Sequence, residues 1–442
     1  MAKVFISVLG TNNYVPCSYM YRDQIVIKET RFVQEATVSL CCRDWSDKDR
    51  ILIFTTDEAE KKNWLDDGHC DEKTKKPIKQ QGLKTILEAL KLKPKVTNVK
   101  IPEGESEKQI WEIFQAIFDN LHQGDEIVFD ITHAFRSIPR LVMVVLSYAK
   151  VIKSVKLEGI YYGAFEVLGN PRDVCKKPLE ERNAPIFDLT EFDRLLDWTM
   201  AIDRFVSSGD ASLAADLAKK AAIPRLAISA GADLTARSIR NTATKMDAFA
   251  RNLSTCRGRD ISGSASKLKD EIAAGKTPAE KLLPPLVPLL GLVYEKISPF
   301  VGDKVKDGVS AARWCMQHNL IQQGFTILQE TLISYLIQQV GDDIMLPDNR
   351  RIAASSIGIW RKRTPESEWT GDAGKYSEKT KQYLALFESQ NQWVSLFTGG
   401  VYDKLTDYRN DLNHGGFTGN THDALEFKKV LSEIIIEIEK FI

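Results

Sequence analysis

The chain has 442 residues, and its 60 lysines and arginines balance its 60 aspartates and glutamates. This length predicts two or three domains, and the neutral balance excludes tight nonspecific binding of the whole surface to nucleic acid or to a membrane. Seven cysteines without a CxxC pair indicate a reducing compartment, and no stretch has the composition expected of a signal peptide or a membrane span. We therefore expect a cytoplasmic protein without a membrane partner.

Strands and helices alternate along the first 188 residues. Short runs of β-branched and aromatic residues predict strands, and apolar residues at helical spacing between them predict helices. The alternation is typical of a mostly parallel, doubly wound sheet, so we predict a Rossmann-like α/β domain over residues 1–188. The predicted strands are 3–10, 49–56, 96–101, the run around 127–129, and 155–166, and the predicted helices include 31–41 and 107–121.

The remaining residues carry helical patterns, beginning with a stripe of apolar residues between 192 and 202. A segment rich in serine and glycine, 254–267, predicts a loop. We predict an all-α domain over residues 189–442, in which 215–305 is an insertion or a bridging helical region. Further helical patterns cover 211–253, 311–340, 379–397, 402–414 and 421–441.

Polar residues interrupt two junctions of the predicted α/β domain. In "FDITHAFRSIP" (129–139), five polar residues lie between a buried strand and a buried helix, and "LGTNNY" (9–14) follows the first strand. Ligands of open parallel sheets bind beyond the carboxyl ends of the strands, near the topological switch point. We therefore expect these two loops to form one ligand site.

The residue types in these loops suit a phosphate-containing ligand. Glycine allows close approach of the backbone, short polar side chains form hydrogen bonds, an arginine and a helix N-terminus supply positive potential, and the rings can stack on a base. Neither loop has a GxGxxG pattern or a metal motif, so we expect no dinucleotide cofactor and no metal. An alternative is that the threonine and the serine cap the helix and that the histidine is structural. The candidate ligand-binding residues are Gly10, Thr11, Asn12, Thr132, His133, Phe135, Arg136 and Ser137.

A second polar constellation is "DYRNDLNHGGF" (407–417). A helix from about residue 403 would end at His414, because Gly415 can adopt the left-handed conformation of a C-cap. Arg409 and His414 would then lie roughly 140° apart around the helix axis, on adjacent faces that can line a cleft between helices or between subunits.

Arginine and histidine without clustered carboxylates suit metal-free RNA cleavage. A 2′-hydroxyl attacks the neighbouring phosphorus, a histidine transfers a proton, and a guanidinium stabilises the charge on the phosphorane. The products would be a 2′,3′-cyclic phosphate and a 5′-hydroxyl. The candidate catalytic residues are Arg409, Asn410 and His414, with the asparagines at 410 and 413 orienting the phosphate or the imidazole.

The same R-x4-H spacing occurs a second time, at Arg313 and His318. That copy lies among Trp314, Cys315 and Met316 and is typical of a core-facing helix, so we prefer the copy near the C-terminus. For His414, the alternative is a histidine that interacts only with the helix dipole.

Together, "LGTNNY", "DITHAFRSIP" and "RNDLNH" resemble the CRISPR-associated ancillary ribonucleases of type III systems, which join a CARF sensor domain to a HEPN nuclease domain. "VQEA" (33–36) and "FTTDEAEKKNW" (54–64) are similar as well. The segment 215–305 departs from the family pattern, since a minimal nuclease domain does not explain it.

The resemblance implies a function for the whole chain. A cyclic oligoadenylate, which we expect to be cyclic tetra-adenylate, would bind across a sensor dimer as an allosteric activator, and the nuclease pair would cleave single-stranded RNA. The loops of Gly10–Asn12 and of Thr132–Ser137 would hold the activator, and Arg409, Asn410 and His414 match the R-N-x3-H catalytic pattern. A homodimer or a higher homo-oligomer also suits a cyclic ligand of repeated units.

Two other functions are open at this point. A sensor domain of this kind can instead regulate a module that binds DNA or a protein partner without cleavage, in which case "RNDLNH" would be incidental. A nucleotide-dependent oxidoreductase is the weakest alternative, because the glycine fingerprint and a second α/β half are absent from the sequence.

Overall fold

The computed structural model describes residues 2–71, 74–132, 138–282, 284–417 and 419–442. The chain divides into two units, Met1–Arg194 and Leu195–Ile442. The first is an α/β unit and the second is helical. The predicted fold class, a mostly parallel α/β region followed by an all-α region, is confirmed.

The described strands of the first unit form one eight-stranded sheet. They are β1 Lys3–Leu9, β2 Cys17–Tyr21, β3 Gln24–Thr30, β4 Arg50–Thr55, β5 Lys95–Lys100, β6 Glu126–Asp130, β7 Lys156–Gly163 and β8 Asn183–Asp188. Their spatial order is β3-β2-β8-β7-β6-β1-β4-β5. The strands from β7 to β5 are parallel, while β2–β3 and β7–β8 are antiparallel pairs. From β1 the chain adds β4 and β5 on one side and later β6 and β7 on the other, so the switch point lies between β1 and β6.

Helices cover both faces of this sheet. They are α1 Val33–Cys41, α2 Asp57–Ala59, α3 Leu83–Ala89, α4 Glu107–Asp119, α5 Ile138–Ile152 and α6 Pro171–Val174. Because side chains alternate along a strand, Val4, Ile6 and Val8 of β1 pack with α4 and α5, while Phe5 and Leu9 pack with α1 and α3. Burial on both faces explains why the strand is apolar from Val4 to Leu9 apart from one serine.

The β2–β3 hairpin and β8 were not foreseen from the sequence. The hairpin turn consists of Arg22 and Asp23, which have φ values of 49° and 63°. Two-residue hairpin turns need such left-handed conformations and are usually recognised by glycine or asparagine. This turn has neither residue type, and its aspartate alone is a weak turn signal.

The second unit consists of helices. They are α7 Thr190–Ser208, which begins in the first unit, then α8 Ser212–Ile228, α9 Leu234–Ser254, α10 Gly258–Leu282, α11 Leu286–Ile297, α12 Lys304–Gln317, α13 Ile321–Val340, α14 Pro347–Lys362, α15 Gly371–Lys375, α16 Ser377–Phe387, α17 Ser395–Thr398, α18 Val401–Asn413 and α19 Glu426–Ile438. Two buried clusters form their core, and α12 and α13 contribute to both. The pair α12 and α13 therefore forms the wall between the two clusters.

The predicted loop at 254–267 is wrong, because α10 begins at Gly258. Ile261, Ala265, Leu268 and Ile272 are buried and follow each other at three- and four-residue spacing, as an amphipathic helix requires. The serine and glycine content of the segment hid this stripe. Its apolar side belongs to the same cluster as Trp314, so part of 215–305 packs in the core of the helical unit.

Candidate functional site

The carboxyl ends of β1 and β6 meet at a buried carboxylate. Ser7 lies opposite Asp130 in the strand register, and its Oγ donates a hydrogen bond to Asp130 Oδ2 at 3.1 Å. Asp130 Oδ1 accepts hydrogen bonds from the backbone N–H of Thr132 at 3.0 Å and from its hydroxyl at 2.6 Å. Burial raises the pKa of Asp130, and the surrounding amide and hydroxyl donors oppose this shift. The start of the 129–139 segment is therefore fixed against β1.

Thr132 is also tied to β7, because its Oγ1 accepts a hydrogen bond from the backbone N–H of Gly163 at 2.8 Å. A Cβ atom on Gly163 would lie 2.2 Å from Val33 Cγ2 and 3.0 Å from Tyr19 Cε1. Only glycine lets the first residue of α1 approach β7 this closely. The hydroxyl of Thr132 thus joins β6 to β7 at the edge where the sequence predicts a ligand.

The loop after β1 is held by Asn63, which lies in the π-helical turn Glu60–Trp64 and is buried. Its Nδ2 donates hydrogen bonds to the carbonyl oxygens of Gly10 and Asn12, both at 2.8 Å. Thr11 is half-buried and the side chain of Asn12 is exposed. Asn63, which follows β4 in the chain, therefore fixes the backbone conformation of the three predicted ligand-binding residues in this loop.

The carboxamide oxygen of Asn63 faces two further groups. It accepts a hydrogen bond from Arg31 Nη2 at 3.2 Å, and His69 Nε2 lies 3.0 Å from it. Burial lowers the pKa of His69, and the neighbouring charges of Arg31 and Lys62 lower it further. A neutral His69 with its proton on Nε2 completes the hydrogen bonds of Asn63.

Arg31 lies at the same edge, between β3 and α1. Its Nη1 donates to the carbonyl oxygen of Gln81 at 3.3 Å, and its Nη2 also reaches Asn13 Oδ1 at 3.4 Å. The guanidinium carbon lies 4.9 Å from the centre of the Phe32 ring. Burial lowers the pKa of Arg31. Among the described residues no carboxylate forms a salt bridge with it, and its Nε is buried without a hydrogen-bond partner.

The other predicted ligand-binding residues, His133, Phe135, Arg136 and Ser137, lie outside the described residues. Those that are described, Gly10, Thr11, Asn12 and Thr132, lie at one edge of the sheet. Sequence reasoning missed the residues that shape this edge, Arg31, Asn63 and Gln34. The last donates from Nε2 to Ser7 Oγ and to the Val8 carbonyl oxygen, both at 3.2 Å. Gln34 and Asn63 lie in the segments 33–36 and 54–64, but the family resemblance of these segments gives them no role.

The second candidate site lies at the end of α18. The helix ends at Asn413, His414 is its C-cap, and Gly415 and Gly416 have φ values of 63° and 77°, so the predicted helix end is confirmed. Arg409 is half-buried, and its Nη1 donates to Asn410 Oδ1 at 3.3 Å. The His414 ring is exposed and makes no hydrogen bond to the described residues.

Asn413 links Arg409 to α13. With its amide oxygen turned towards the guanidinium, it accepts hydrogen bonds from Arg409 Nε at 2.8 Å and from Nη1 at 3.3 Å, and its other amide atom lies 3.1 Å from the Gln322 side chain. The next residue, Gln323, donates from Nε2 to the carbonyl oxygen of Ser254 at 3.3 Å. The beginning of α13 and the ends of α9 and α18 therefore converge at Arg409.

The turn between α9 and α10 thus reaches the second candidate site. Burial raises the pKa of the Cys256 thiol in this turn, and the charges of Arg257 and Arg409 oppose the shift. Arg257 is exposed. A part of the 215–305 region, which a minimal nuclease domain does not explain, hence lies close to the R-x4-H motif.

The loop that follows α18 returns to this helix through His422. Its Nε2 lies 3.2 Å from Asp407 Oδ2, and its ring stacks on Tyr408 with 3.7 Å between the ring centres. His422 Nδ1 and the buried Asp411 are also in contact. No feature of the sequence motif pointed to His422, which lies eight residues beyond the R-x4-H pattern.

The other copy of the R-x4-H pattern has structural surroundings. Arg313 forms a salt bridge with Glu439, with 3.1 Å between Nε and Oε1. His318 is buried, and its ring nitrogens lie 2.8 Å and 3.0 Å from the carbonyl oxygens of Trp314 and Val206. Burial lowers the pKa of His318, although the two carbonyl contacts oppose the shift. The ring has no room for a substrate here, which favours the Arg409 copy.

The groups at the end of α18 are of the types that contact phosphodiesters and transfer protons. The Arg409 guanidinium has remaining donors for phosphate oxygens, side-chain amides surround it, and the exposed imidazole of His414 can transfer protons. In the described part of the chain, no group of three or more His, Cys, Asp or Glu residues is arranged to hold a metal ion. No described helix combines the length and the apolar character needed to cross a membrane.

Comparisons with known proteins bear on the first unit. Residues 4–166 match the family model described as "CRISPR system endoribonuclease Csx1, CARF domain". A stretch of 120 residues is 34% identical to CRISPR-associated protein MJ1674 of Methanocaldococcus jannaschii. This stretch is 26% of the present chain and 17% of the relative, so the match spans less than a fifth of the relative's length. The comparisons support a CRISPR-linked, ligand-sensing protein.

Proposed function

We propose that this chain, whose residues 4–166 match the CARF-domain family model, is a metal-independent endoribonuclease that cleaves single-stranded RNA when a cyclic oligoadenylate binds to it. The matched family model is named for an endoribonuclease, which supports the enzymatic part of the proposal. The cytoplasm is the location that this function would require.

The observation that carries the nuclease assignment is the contact between Asn413 and Arg409 beside an exposed His414. Asn413 holds the guanidinium through Nε and one Nη, which leaves the other donors to face a phosphate. His318, by contrast, is buried, and its ring nitrogens face carbonyl oxygens. The His414 ring is exposed and makes no hydrogen bond to the residues that the structure describes.

In the proposed reaction, the 2′-oxygen of one ribose attacks the adjacent phosphorus, and the bond from phosphorus to the 5′-oxygen breaks. His414 takes the proton of the 2′-hydroxyl or supplies one to the leaving oxygen, and Arg409 stabilises the negative charge that develops on the phosphorane. Asn410 and Asn413 orient the guanidinium. The products are a 2′,3′-cyclic phosphate and a 5′-hydroxyl, and the role of HEPN catalytic residues falls on Arg409, Asn410 and His414.

A second copy of the chain would complete this site. One arginine and one histidine give a single acid or base per chain, whereas in-line cleavage uses both, so a homodimer or a higher homo-oligomer that brings two α18 helices together supplies the pair. We propose cyclic tetra-adenylate as the activator, held by the loops of Gly10–Asn12 and Thr132–Ser137. Its differential affinity for two arrangements of the dimer would provide the allosteric coupling.

A regulator without nuclease activity is the second candidate, because the family match covers residues 4–166 and does not extend into the helical unit. In that case the first unit would sense the same ligand, and the second would bind DNA or a protein partner.

Cleavage of a fluorogenic single-stranded RNA separates the two functions. The wild-type protein is assayed in EDTA with cyclic tri-, tetra- or hexa-adenylate, beside His414→Ala and His318→Ala, and circular dichroism verifies that each variant is folded. We expect one ring size to activate cleavage, RNA fragments with 2′,3′-cyclic phosphate ends, and loss of at least about 100-fold in rate for His414→Ala. The folded fraction of His318→Ala should cleave RNA at the wild-type rate.

Two outcomes would argue against this proposal. Cleavage that persists in His414→Ala would remove this residue from the active site. A protein that binds one of the rings but cleaves no RNA would instead support the regulator, and salt-dependent binding to duplex DNA would identify its partner.

A further inference from the structure

We propose that Arg31 is an anchor for a phosphodiester group of the activator at the carboxyl edge of the sheet. This inference rests on the proposed function of the first unit. It assigns to the ligand site a residue that lies outside both sequence loops predicted to form it, and it names the part of the ligand, the negatively charged backbone, that the residue would bind.

The position of Arg31 places its charge beside the loop after β1. Nη2 of Arg31 donates a hydrogen bond to Asn63 Oδ1. The same Asn63 side chain holds the carbonyl oxygens of Gly10 and Asn12. The same Nη2 lies 3.4 Å from Asn13 Oδ1, and Asn13 is exposed. The guanidinium is therefore at the border between the buried network under the loop and solvent.

The charge of Arg31 is not balanced by an acidic side chain. Its hydrogen bonds, at 3.2, 3.3 and 3.4 Å, all go to neutral amide or carbonyl oxygens, and no carboxylate among the described residues forms a salt bridge with it. The titratable groups that face it are the phenol of Tyr14 and the imidazole of His69. Partly buried cations are normally paired, because removal from water costs free energy that an anion recovers.

The hydrogen bonds of Arg31 are poorly suited to a purely structural role. They lie at the long end of the range for N–H···O bonds, and the Nε–H group is buried without a partner. An unmet buried donor destabilises the free protein. A phosphate oxygen near the guanidinium would balance the charge and strengthen these contacts, since bonds from arginine to phosphate are short and charge-assisted.

We therefore expect Arg31 to destabilise the free protein and to stabilise the complex with the ligand. A neutral side chain of similar length should therefore leave the stability of the free protein unchanged or raise it, while the affinity for the ring falls. If Arg31 only linked Gln81, Asn13 and Asn63, its replacement would instead lower the melting temperature of the free protein.

The experiment compares Arg31→Gln and Arg31→Lys in the full-length protein with Arg43→Gln, which removes one charge from an exposed arginine in the loop after α1. Calorimetric titration with cyclic tri-, tetra- and hexa-adenylate gives the dissociation constants, and thermal unfolding without ligand gives the stability of each variant. For the ring that binds wild type, we expect Arg31→Gln to weaken binding about 10- to 100-fold, Arg31→Lys to restore part of the loss, and Arg43→Gln to bind within about twofold of wild type.

Three results would overturn the assignment. If wild type binds a ring and Arg31→Gln binds it equally well, Arg31 is not an anchor, although the proposed function of the unit stands. If both Arg31 variants melt at lower temperature and lose affinity equally, the residue is structural. If wild type binds none of the rings, the proposed function of the unit fails and this assignment fails with it.

Discussion

Asp411 contacts His422 twice, because its Oδ2 accepts the backbone N–H of His422 at 2.8 Å and also lies 3.1 Å from Nδ1 of the ring. On the other side of the ring, Nε2 lies 3.2 Å from Asp407 Oδ2. Both ring nitrogens therefore face carboxylates of α18, the helix that carries Arg409. This double contact closes the loop that begins at His414.

We expect His422 to position the loop of His414 without touching the RNA. His422→Ala should lower kcat for activator-dependent cleavage about tenfold at a nearly unchanged KM, and it should reduce the free energy of unfolding by about 1 kcal/mol, because Asp407 is partly exposed. His422→Asn retains a donor that can reach Asp411 and should recover part of kcat. Steady-state kinetics and denaturant unfolding measure both effects.

The exposed His122 provides the matched control for His422. His122→Ala should leave kcat and stability unchanged. The positioning role would be excluded if His422→Ala lost stability while the folded protein kept the wild-type kcat.

Gly163→Ala should destabilise the first unit. The new methyl group would lie 2.2 Å from Val33 Cγ2, so β7 and α1 would have to separate, at a cost of about 1–3 kcal/mol. Gly358→Ala is the matched control, since apart from the neighbouring residues and the backbone of α14 itself no described atom lies within 4 Å of its added Cβ. That substitution should stabilise the protein by about 0.5–1 kcal/mol. Denaturant unfolding should give opposite signs for the two variants, and equal signs would contradict the packing described for Gly163.

The sequence predicts that the residues after β1 and β6 lie at one edge of the sheet, whereas the contacts that hold them there could not be predicted. Alternation of strands and helices favours parallel strands, but the register that places Ser7 opposite Asp130 is seen only in the structure. The support of the loop after β1 comes from Asn63, whose bonds to that loop span 51 and 53 residues. No local pattern encodes a contact at such a distance.

In the helical unit too, local sequence patterns predict the end of a helix but not the contacts between helices. The end of α18 was predictable because Gly415 is a recognisable C-cap. The contact between Ser254 and Gln323 was not predictable, because it depends on how α9 and α13 pack. The start of α10 was not predictable either, because the serine and glycine content of 254–267 is typical of a loop. His422 could not be predicted, because it contacts the aspartates of α18 and these belong to no recognisable motif.

Asn63→Asp and Asn63→Ala should separate the effect of the loop from the effect of charge. Both variants lose the donor that holds the carbonyl oxygens of Gly10 and Asn12, so each should lose about 1–3 kcal/mol of stability. The aspartate alone would give Arg31 an acidic partner, and this partner would compete with a phosphate. We therefore expect Asn63→Asp to bind the activator at least about tenfold more weakly than Asn63→Ala. Calorimetric titration of both variants tests this, and equal affinities would count against a phosphate at Arg31.

The stability of the protein should fall in mild acid because of His69. Burial and the charge of Arg31 lower the folded-state pKa of His69 below the usual value of 6.5, so the unfolded chain binds a proton that the folded chain does not. The His69 contribution is therefore complete above pH 6.5 and declines as the pH falls from 6.5 towards the lowered pKa.

His69→Gln, whose amide can replace the Nε2 donor to Asn63, should reduce this loss. The measurement is the difference in unfolding free energy between pH 7.5 and pH 5.5 for wild type, His69→Gln and the exposed control His122→Gln. A difference that is the same in all three proteins would show that His69 does not contribute to the acid sensitivity.

The two 2.8 Å hydrogen bonds from Asn63 to the carbonyl oxygens of Gly10 and Asn12 also affect the entropy of ligand binding. Each backbone residue that becomes fixed costs roughly 1–2 kcal/mol of conformational entropy at room temperature. In this protein, that cost falls on the folding of the free chain, before any ligand arrives. The proposed activator would meet a loop whose backbone is already ordered, so less of its interaction energy would be consumed by ordering the receptor.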